Sequence, residues 1–362
     1  MDVSVLTPEI YSDIENVIEQ SGLNAALRID QPNAWQIAWA NLEAQSVAYA
    51  ASMIDYQHAY MRNSGVSLVD ISMVLLNDGK PCGIWPLTLS LGELAKLSSH
   101  IYPILPPVFT LNLSSRTVKK ITSSALRFIN NFQKKLSQSV INSQESVVPN
   151  SLILGLSEWH QQLLSAGASV SVKHDLYVDL APSMDNIRLG FRKSYRPLIS
   201  VGLKTWKIEV MDVSNANVFI WQEFKLLHQK AAGRVTRSDE TWNLQYQMIL
   251  CNEGMLIHLH DCASQNKMVG AGFFQFTRDE GLYAVGAYDR ELFDKPIGHV
   301  VQQRAIEIMK KLNLRWYQIG ERFYPSDNPK PTEKELSIAL FKQGFASYIL
   351  PRFIFELSGD KI

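Results

Sequence analysis

The chain has 362 residues, 46% hydrophobic and 19% charged, and its 35 basic and 35 acidic side chains cancel. That length exceeds one ordinary core, so two domains are expected, and the balance excludes disorder over most of the chain. Zero net charge excludes a dedicated nucleic-acid binder, although a local basic patch can still hold a phosphate or a tRNA backbone.

Cys82, Cys251 and Cys262 are odd in number and widely spaced, which argues against a disulfide framework and a zinc site. The first 20 residues lack the basic start and apolar run of a signal peptide. No stretch reaches the roughly 20 apolar residues of a membrane span. The cytoplasm is the expected location.

Residues 7–62 read as helical. Thr7 is suited to cap and Pro8 to the first turn, and 35–60 contain no Gly or Pro, with Trp35, Trp39, Tyr49 and Tyr56 free to pack inward. Extended segments are expected at 66–76 and 82–89 around the turn Asn77-Asp78-Gly79-Lys80. A loop at 102–107, a helix at 117–139, a polar segment at 140–150 and a strand at 151–156 follow, and about 140–180 joins two halves.

The second half opens with a strand at 174–180. A basic helix is expected over 184–202, with Arg188, Arg192, Lys193 and Arg196 on it and Lys204 just beyond. Next come a strand at 205–210, a helix at 216–230, a loop at 231–239 and a helix starting at Ser238 or Asp239. Strands at 254–261, 268–276 and 281–288 alternate with turn residues, the pattern of an antiparallel meander. A helix at 297–312, a strand at 316–319, a helix at 332–343 and a strand at 347–355 complete the chain.

That order is the order of GNAT acyltransferases, and three stretches sharpen the likeness. "LYAVGAYDRELFDKPIGHVVQQRAIEIMKKLNLRWYQIGERF", "GFRKSYRPLI" and "VLLNDGKPCGIWPL" resemble parts of two-domain FemAB-related proteins of bacterial surface-polysaccharide gene clusters. The resemblance implies an α/β (α+β) fold of two GNAT-like domains, each a mostly antiparallel sheet flanked by helices. The expected division is 1–165, degenerate, and 166–362, carrying the donor site. It further implies N-acyl transfer from acyl-CoA to an amine, such as an amino sugar of a glycan precursor that is nucleotide- or lipid-linked. The usual acyl-CoA signature is replaced here by Lys295-Pro296-Ile297-Gly298-His299.

The residues support this reading at several points. A loop entering a helix at Pro296 presents unpaired N–H groups at the positive end of a helix dipole, a cradle for a donor phosphate. Lys295, Ile297, Gly298 and His299 are the candidate donor-binding residues. Tyr288 and Asp289 end the third meander strand, which the resemblance implies splays from the next strand to admit the donor, and there a phenol can protonate a leaving group and a carboxylate can accept a proton. Glu321, after the next strand, is a second candidate base. His228, Arg234, Arg237, Trp242 and Tyr324 are candidate acceptor-binding residues, because guanidiniums match phosphate or carboxylate oxygens in a bidentate way. Each has a plain alternative as a turn, core or surface residue.

No GxSxG elbow, Walker loop, GxGxxG or HExxH occurs. His258 and His260 alternate beside Asp261, but spacing places no third ligand, so no metal is expected. Aminoacyl transfer from tRNA, using the basic helix, and a non-catalytic binding protein of the same fold remain in competition with the acyl-CoA reading.

Overall fold

The computed structural model describes residues 7–91, 95–100, 102–136, 140–146, 156–262 and 267–358. Two compact units result. One holds Met1–Gln45, Gln57–Val172 and Pro351–Ile362, and the other Ser46–Tyr56 and Lys173–Leu350. Among the described residues no helix is long and apolar enough to cross a membrane.

The first unit runs α1 (Pro8–Gln20), β1 (Ala25–Leu27), α2 (Pro32–Ala40), the second half of α3 (Ala51–Asn63), β2 (Ser67–Asp70), β3 (Met73–Asn77), β4 (Lys80–Trp85), β5 (Thr88–Leu91), β6 (Lys96–Ser98), β7 (Val108–Phe109), α4 (Ser115–Lys135), β8 (Val140–Ser146) and α5 (Glu158–Ser165). Its strands form antiparallel sheets ordered β1-β3-β4-β7 and β2-β5-β6. Asp78 and Gly79 take φ of 49° and 73°, the left-handed pair that a two-residue hairpin turn requires. Trp85, Phe128 and Trp159 meet edge to face in its core. The two indoles donate to the Leu105 carbonyl and Ser143 Oγ, so neither buried N–H is stranded.

The helix expected over 7–62 is three α-helices, a strand and a short 3-10 turn at Val47–Tyr49. Thr7 caps the first, as expected. The break near 41–50 has a tertiary cause: Ser46 Oγ and the Val47 N–H donate to Glu280 Oε2 at 2.6 and 2.7 Å, which takes the backbone out of a helical ladder. The strand expected over 151–156 lies, apart from Leu156, outside the described residues.

The second unit continues with β9 (Ser169–Asp179), α6 (Met184–Gly190), α7 (Tyr195–Thr205), β10 (Lys207–Met211), α8 (Val218–Ala232), α9 (Asp239–Leu250), β11 (Gly254–Asp261), β12 (Lys267–Phe276), β13 (Glu280–Tyr288), α10 (Ile297–Lys311), β14 (Trp316–Glu321), α11 (Glu333–Gln343) and β15 (Tyr348–Ser358). The last seven or so residues of β15 pair with β8 inside the first unit. Strand order here is β10-β11-β12-β13-β14-β9. Every neighbouring pair is antiparallel except β13 and β14, which are parallel and joined through α10.

Side chains are buried along nearly all of β11 and β12, because helices cover both faces. Met255, Ile257 and Leu259 pack with Ile199, Val300 and Ile306 of α7 and α10. Leu256 and Phe273 face the other way, onto Trp221, Phe224 and Trp242 of α8 and α9. Truncating one of these aromatic side chains to alanine is expected to cost about 3–5 kcal/mol.

The basic helix expected over 184–202 is broken at 191–194. Phe191 turns into the core, and the Arg192 N–H donates to the Gly344 carbonyl at 2.8 Å. Arg192 also donates to Tyr195 and the Leu340 carbonyl, and Arg196 to the Leu189 carbonyl. These two guanidiniums therefore brace the fold.

Candidate active site

β13 and β14 pair only from Glu280–Trp316 to Leu282–Gln318 and then part. Beyond Leu282 the β14-facing edge of β13 has no strand partner among the described residues, so its backbone groups face a fork. Glu280 closes the paired end. It is buried, accepts the Ser46 and Val47 bonds, and lies 3.3 Å from the Tyr177 hydroxyl. Burial pushes its carboxyl up against the pull of those three bonds.

Tyrosines line the fork. A register shift in the β12–β13 ladder leaves Ala284 without a partner, a bulge that re-aims its neighbours. The Tyr283 ring stacks on Phe274 at 5.2 Å, and its hydroxyl lies 3.0 Å from that of Tyr288. A Cβ on Gly286 would fall 1.8 Å from the Tyr283 hydroxyl, so the close approach of that ring requires glycine there. Tyr317 donates to Gln302 Oε1, and Gln302 is fully buried. Burial pushes the Tyr283 hydroxyl up to about 12, against the pull of Tyr288 and Gln302. It raises Tyr288 and Tyr317 further. All three therefore stay neutral phenols near neutral pH.

α10 begins beside this fork. Pro296 occupies its N-cap position and makes no side-chain cap bond, and the Ile297 N–H is taken by the Lys295 carbonyl at 2.9 Å. The following N–H groups start the helix uncapped. Gly298 is half-buried, and a Cβ there would meet the Phe341 ring at 3.1 Å. His299 packs edge-on against Tyr195 and Phe341 at 4.5 and 5.0 Å. Burial, and then the Arg192 charge, lower its imidazole to about 4. Ile297 is core, and Lys295 is an exposed partner of Asp294 at 3.1 Å.

Sequence reasoning missed Lys342. Its ammonium lies 5.2 Å from the Tyr283 ring centroid. Burial pushes its pKa down, with Glu321 pulling the other way. No carboxylate among the described residues forms an ion pair with it. Gly320, at φ 147°, makes the space, because a Cβ there would lie 2.5 Å from Lys342 Nζ. Glu321 ends β14 and lines a cavity of about 120 Å³ with Lys173, His174, Arg322 and Asp327. Tyr324 belongs to the same loop, edge-on to His174 at 5.1 Å and beneath Arg322 at 4.5 Å.

A second cluster gathers three of the expected acceptor residues. Arg237 is 5% exposed and lies 3.7 Å over the Trp242 ring. Its Nη1 donates to Tyr56 and Gln245 at 3.0 and 2.7 Å, while its Nε and Nη2 have no partner. His228 stands edge-on to Trp242 at 5.3 Å, with Nδ1 also unpartnered. Burial, and then the Arg237 charge, lower that imidazole to about 4. The buried Thr236 hydroxyl lacks a partner too. A buried guanidinium with two donors unpartnered among the described residues is costly unless an anion meets it. Arg234 is exposed and does not join the cluster.

Asp289 is buried but already engaged. It caps a short 3-10 turn through the Glu291 N–H and pairs with Lys230 and Lys267 at 3.1 and 3.6 Å. Although burial pushes its carboxyl up, those bonds and charges leave it below the usual carboxylate range. Such a group is a weak proton acceptor.

No family model matches the chain, and no curated protein matches it. Solved structures do. FemX superposes at a TM-score of 0.62 with 11% identity, covering 88% of this chain and 95% of that one. A conserved protein of unknown function from Bacteroides thetaiotaomicron gives 0.58 at 10% identity, over 92% and 98%. L-PGS from Bacillus licheniformis gives 0.51 at 10% identity, over 97% and 92%. The chain thus shares the fold of FemX, a mixed α+β architecture in two units.

Proposed function

We propose that the chain moves an acyl or aminoacyl group from an ester or thioester donor onto an amine, in the fork between β13 and β14. The observation that carries this reading is the parting of the two strands after Leu282 and Gln318, beside the uncapped start of α10 and the buried Lys342. A donor carbonyl laid along the free edge of β13 would develop its negative charge near backbone N–H groups and the Lys342 ammonium, the kind of preorganised field that stabilises a tetrahedral intermediate. The amine nitrogen forms the new C–N bond, and the C–S or C–O bond breaks. Tyr288 gives its proton to the leaving group, and Glu321 takes the proton lost by the amine.

In the first form of this proposal the donor is acyl-CoA, with a phosphate against the N–H groups of Gly298 and His299 and Lys295 nearby. The acceptor is an amine bearing a carboxylate or phosphate for Arg237, flanked by His228 and Trp242, as a nucleotide- or lipid-linked amino sugar would be. The second form uses aminoacyl-tRNA. It is favoured by Phe341, which lies over Gly298 and narrows the room for a pyrophosphate there.

The test incubates the full chain with acetyl-CoA, longer acyl-CoAs and aminoacyl-tRNA, each with amino-sugar acceptors. Turnover with one donor class, lost in Lys342→Met, supports the reading. Calorimetric silence toward every acyl-CoA together with no turnover of aminoacyl-tRNA overturns it in favour of a non-catalytic binding protein.

A further inference from the structure

The geometry points to a divalent transition-metal site on the terminal strand of the second unit's sheet, built from Glu209, His258 and His260. β10 and β11 pair antiparallel, with Glu209 opposite His258 and Lys207 opposite His260. A strand's two-residue period puts His258 and His260 on one face, and the register brings Glu209 to the same face from the neighbouring strand. His258 Nδ1 lies 2.7 Å from His260 Nε2, and Glu209 Oε2 lies 3.7 Å from that same nitrogen. One ligand atom from each residue falls within 4.8 Å of the others.

The chemistry of these three atoms selects the ion. Two imidazoles and one carboxylate suit zinc and its first-row neighbours, whereas magnesium and calcium prefer oxygen alone. Two ring nitrogens 2.7 Å apart share a single proton, so one nitrogen is already unprotonated, and the other ring moves its proton through solvent to its opposite nitrogen as the ion takes the place of the hydrogen bond. Small rotations of both rings open the gap to coordination distance. The histidines are 1% and 5% exposed, which holds the rings in place. The Glu209 side chain is 40% exposed, which gives the ion a way in and leaves a fourth position for water. Lys207 holds Glu209 Oε1 at 2.9 Å and leaves Oε2 for the ion. Bound there, the ion clips the terminal strand β10 to β11. The site lies on residues the transferase reading does not use, so the two stand or fall separately.

The test uses full-length protein stripped with a chelator and titrated with zinc by calorimetry, with cobalt as the optical probe. The expected result is one zinc per chain, a cobalt visible spectrum of low coordination number, and a zinc-dependent rise in Tm. His260→Gln should abolish all three, and Glu209→Gln, at a half-exposed position that leaves the core intact, should weaken zinc binding by about tenfold or more. Absence of stoichiometric zinc binding overturns the site. So does zinc affinity unchanged in Glu209→Gln, which decides the matter even if the histidine variant fails to fold.

Discussion

Lys342, on α11, holds its ammonium 5.2 Å from the centre of the Tyr283 ring, on β13, in space that Gly320 leaves open. Neither residue has an ordinary surface environment: burial pushes the lysine pKa down and the phenol pKa up to about 12. Removing the charge while keeping the stem separates chemistry from packing. Lys342→Met should retain the wild-type Tm within a few degrees and lower kcat by about 10²–10³-fold, the usual effect of deleting one group that stabilises an oxyanion. Steady-state kinetics with a fixed donor checks this, and an unchanged kcat would remove Lys342 from the reaction.

Gly286 is the second sensitive point. A methyl group there would lie 1.8 Å from the Tyr283 hydroxyl, so Gly286→Ala must swing that ring away and break its 3.0 Å pair with Tyr288. Activity should fall while Tyr283→Phe, which leaves the ring in place, retains more of it. The comparison of the two variants in one assay distinguishes ring position from the hydroxyl itself.

That the third meander strand parts from the next was implied by the family resemblance, but little of the fork's detail was legible in the residues themselves. The three meander strands, α10 and β14 were, because alternation, turn residues and a Pro at a helix entrance are local signals. The parting of β13 and β14 depends on pairings between positions 36 residues apart, such as Gly281 with Tyr317, and no local pattern encodes where such a ladder stops. Lys342 was missed because a lysine on an amphipathic helix reads as a solvated charge. The one hint was a glycine at 320, whose positive φ cannot be read from sequence. The overlong helix over 7–62 failed for a related reason: the partner that captures Ser46 and Val47 is Glu280, more than two hundred residues away. At Arg237 the residue type drew attention to the position, but its burial was not foreseen.

Arg237 should behave in an unusual way on mutation. Its guanidinium is 5% exposed with Nε and Nη2 idle, so relieving that charge with Arg237→Met should stabilise the free protein, or leave it unchanged, within a range of about 0–4 kcal/mol. Small dicarboxylates or inorganic phosphate should raise the Tm of the wild type and not of the variant. Equal anion responses in a thermal-shift assay would mean that no anion is met at this cluster.

Stability should also fall in mildly acid solution. His228 and His299 have folded pKa values near 4 against an ordinary 6.5. Because the folded values are depressed, the unfolded chain binds protons first as pH drops below 6.5. The contribution is complete above 6.5 and is lost progressively toward 4. Thermal melts across that window should show Tm falling with pH, and His228→Asn with His299→Phe should flatten the slope. A slope unchanged in the double variant would assign the acid lability to other groups.

The most direct measurement of the central claim is a glycine-selective nitrogen-15 spectrum of the full chain, in which 19 glycines give a resolvable set of amide signals. A non-transferable acyl-CoA analogue and an aminoacyl-tRNA analogue are added in turn, with Gly286 and Gly298 assigned from their alanine variants. The account predicts saturable shifts at Gly286 with either donor, joined by Gly298 if a donor phosphate rests at the α10 start. Saturable donor binding that leaves Gly286 unmoved, or no binding of either donor, would contradict it.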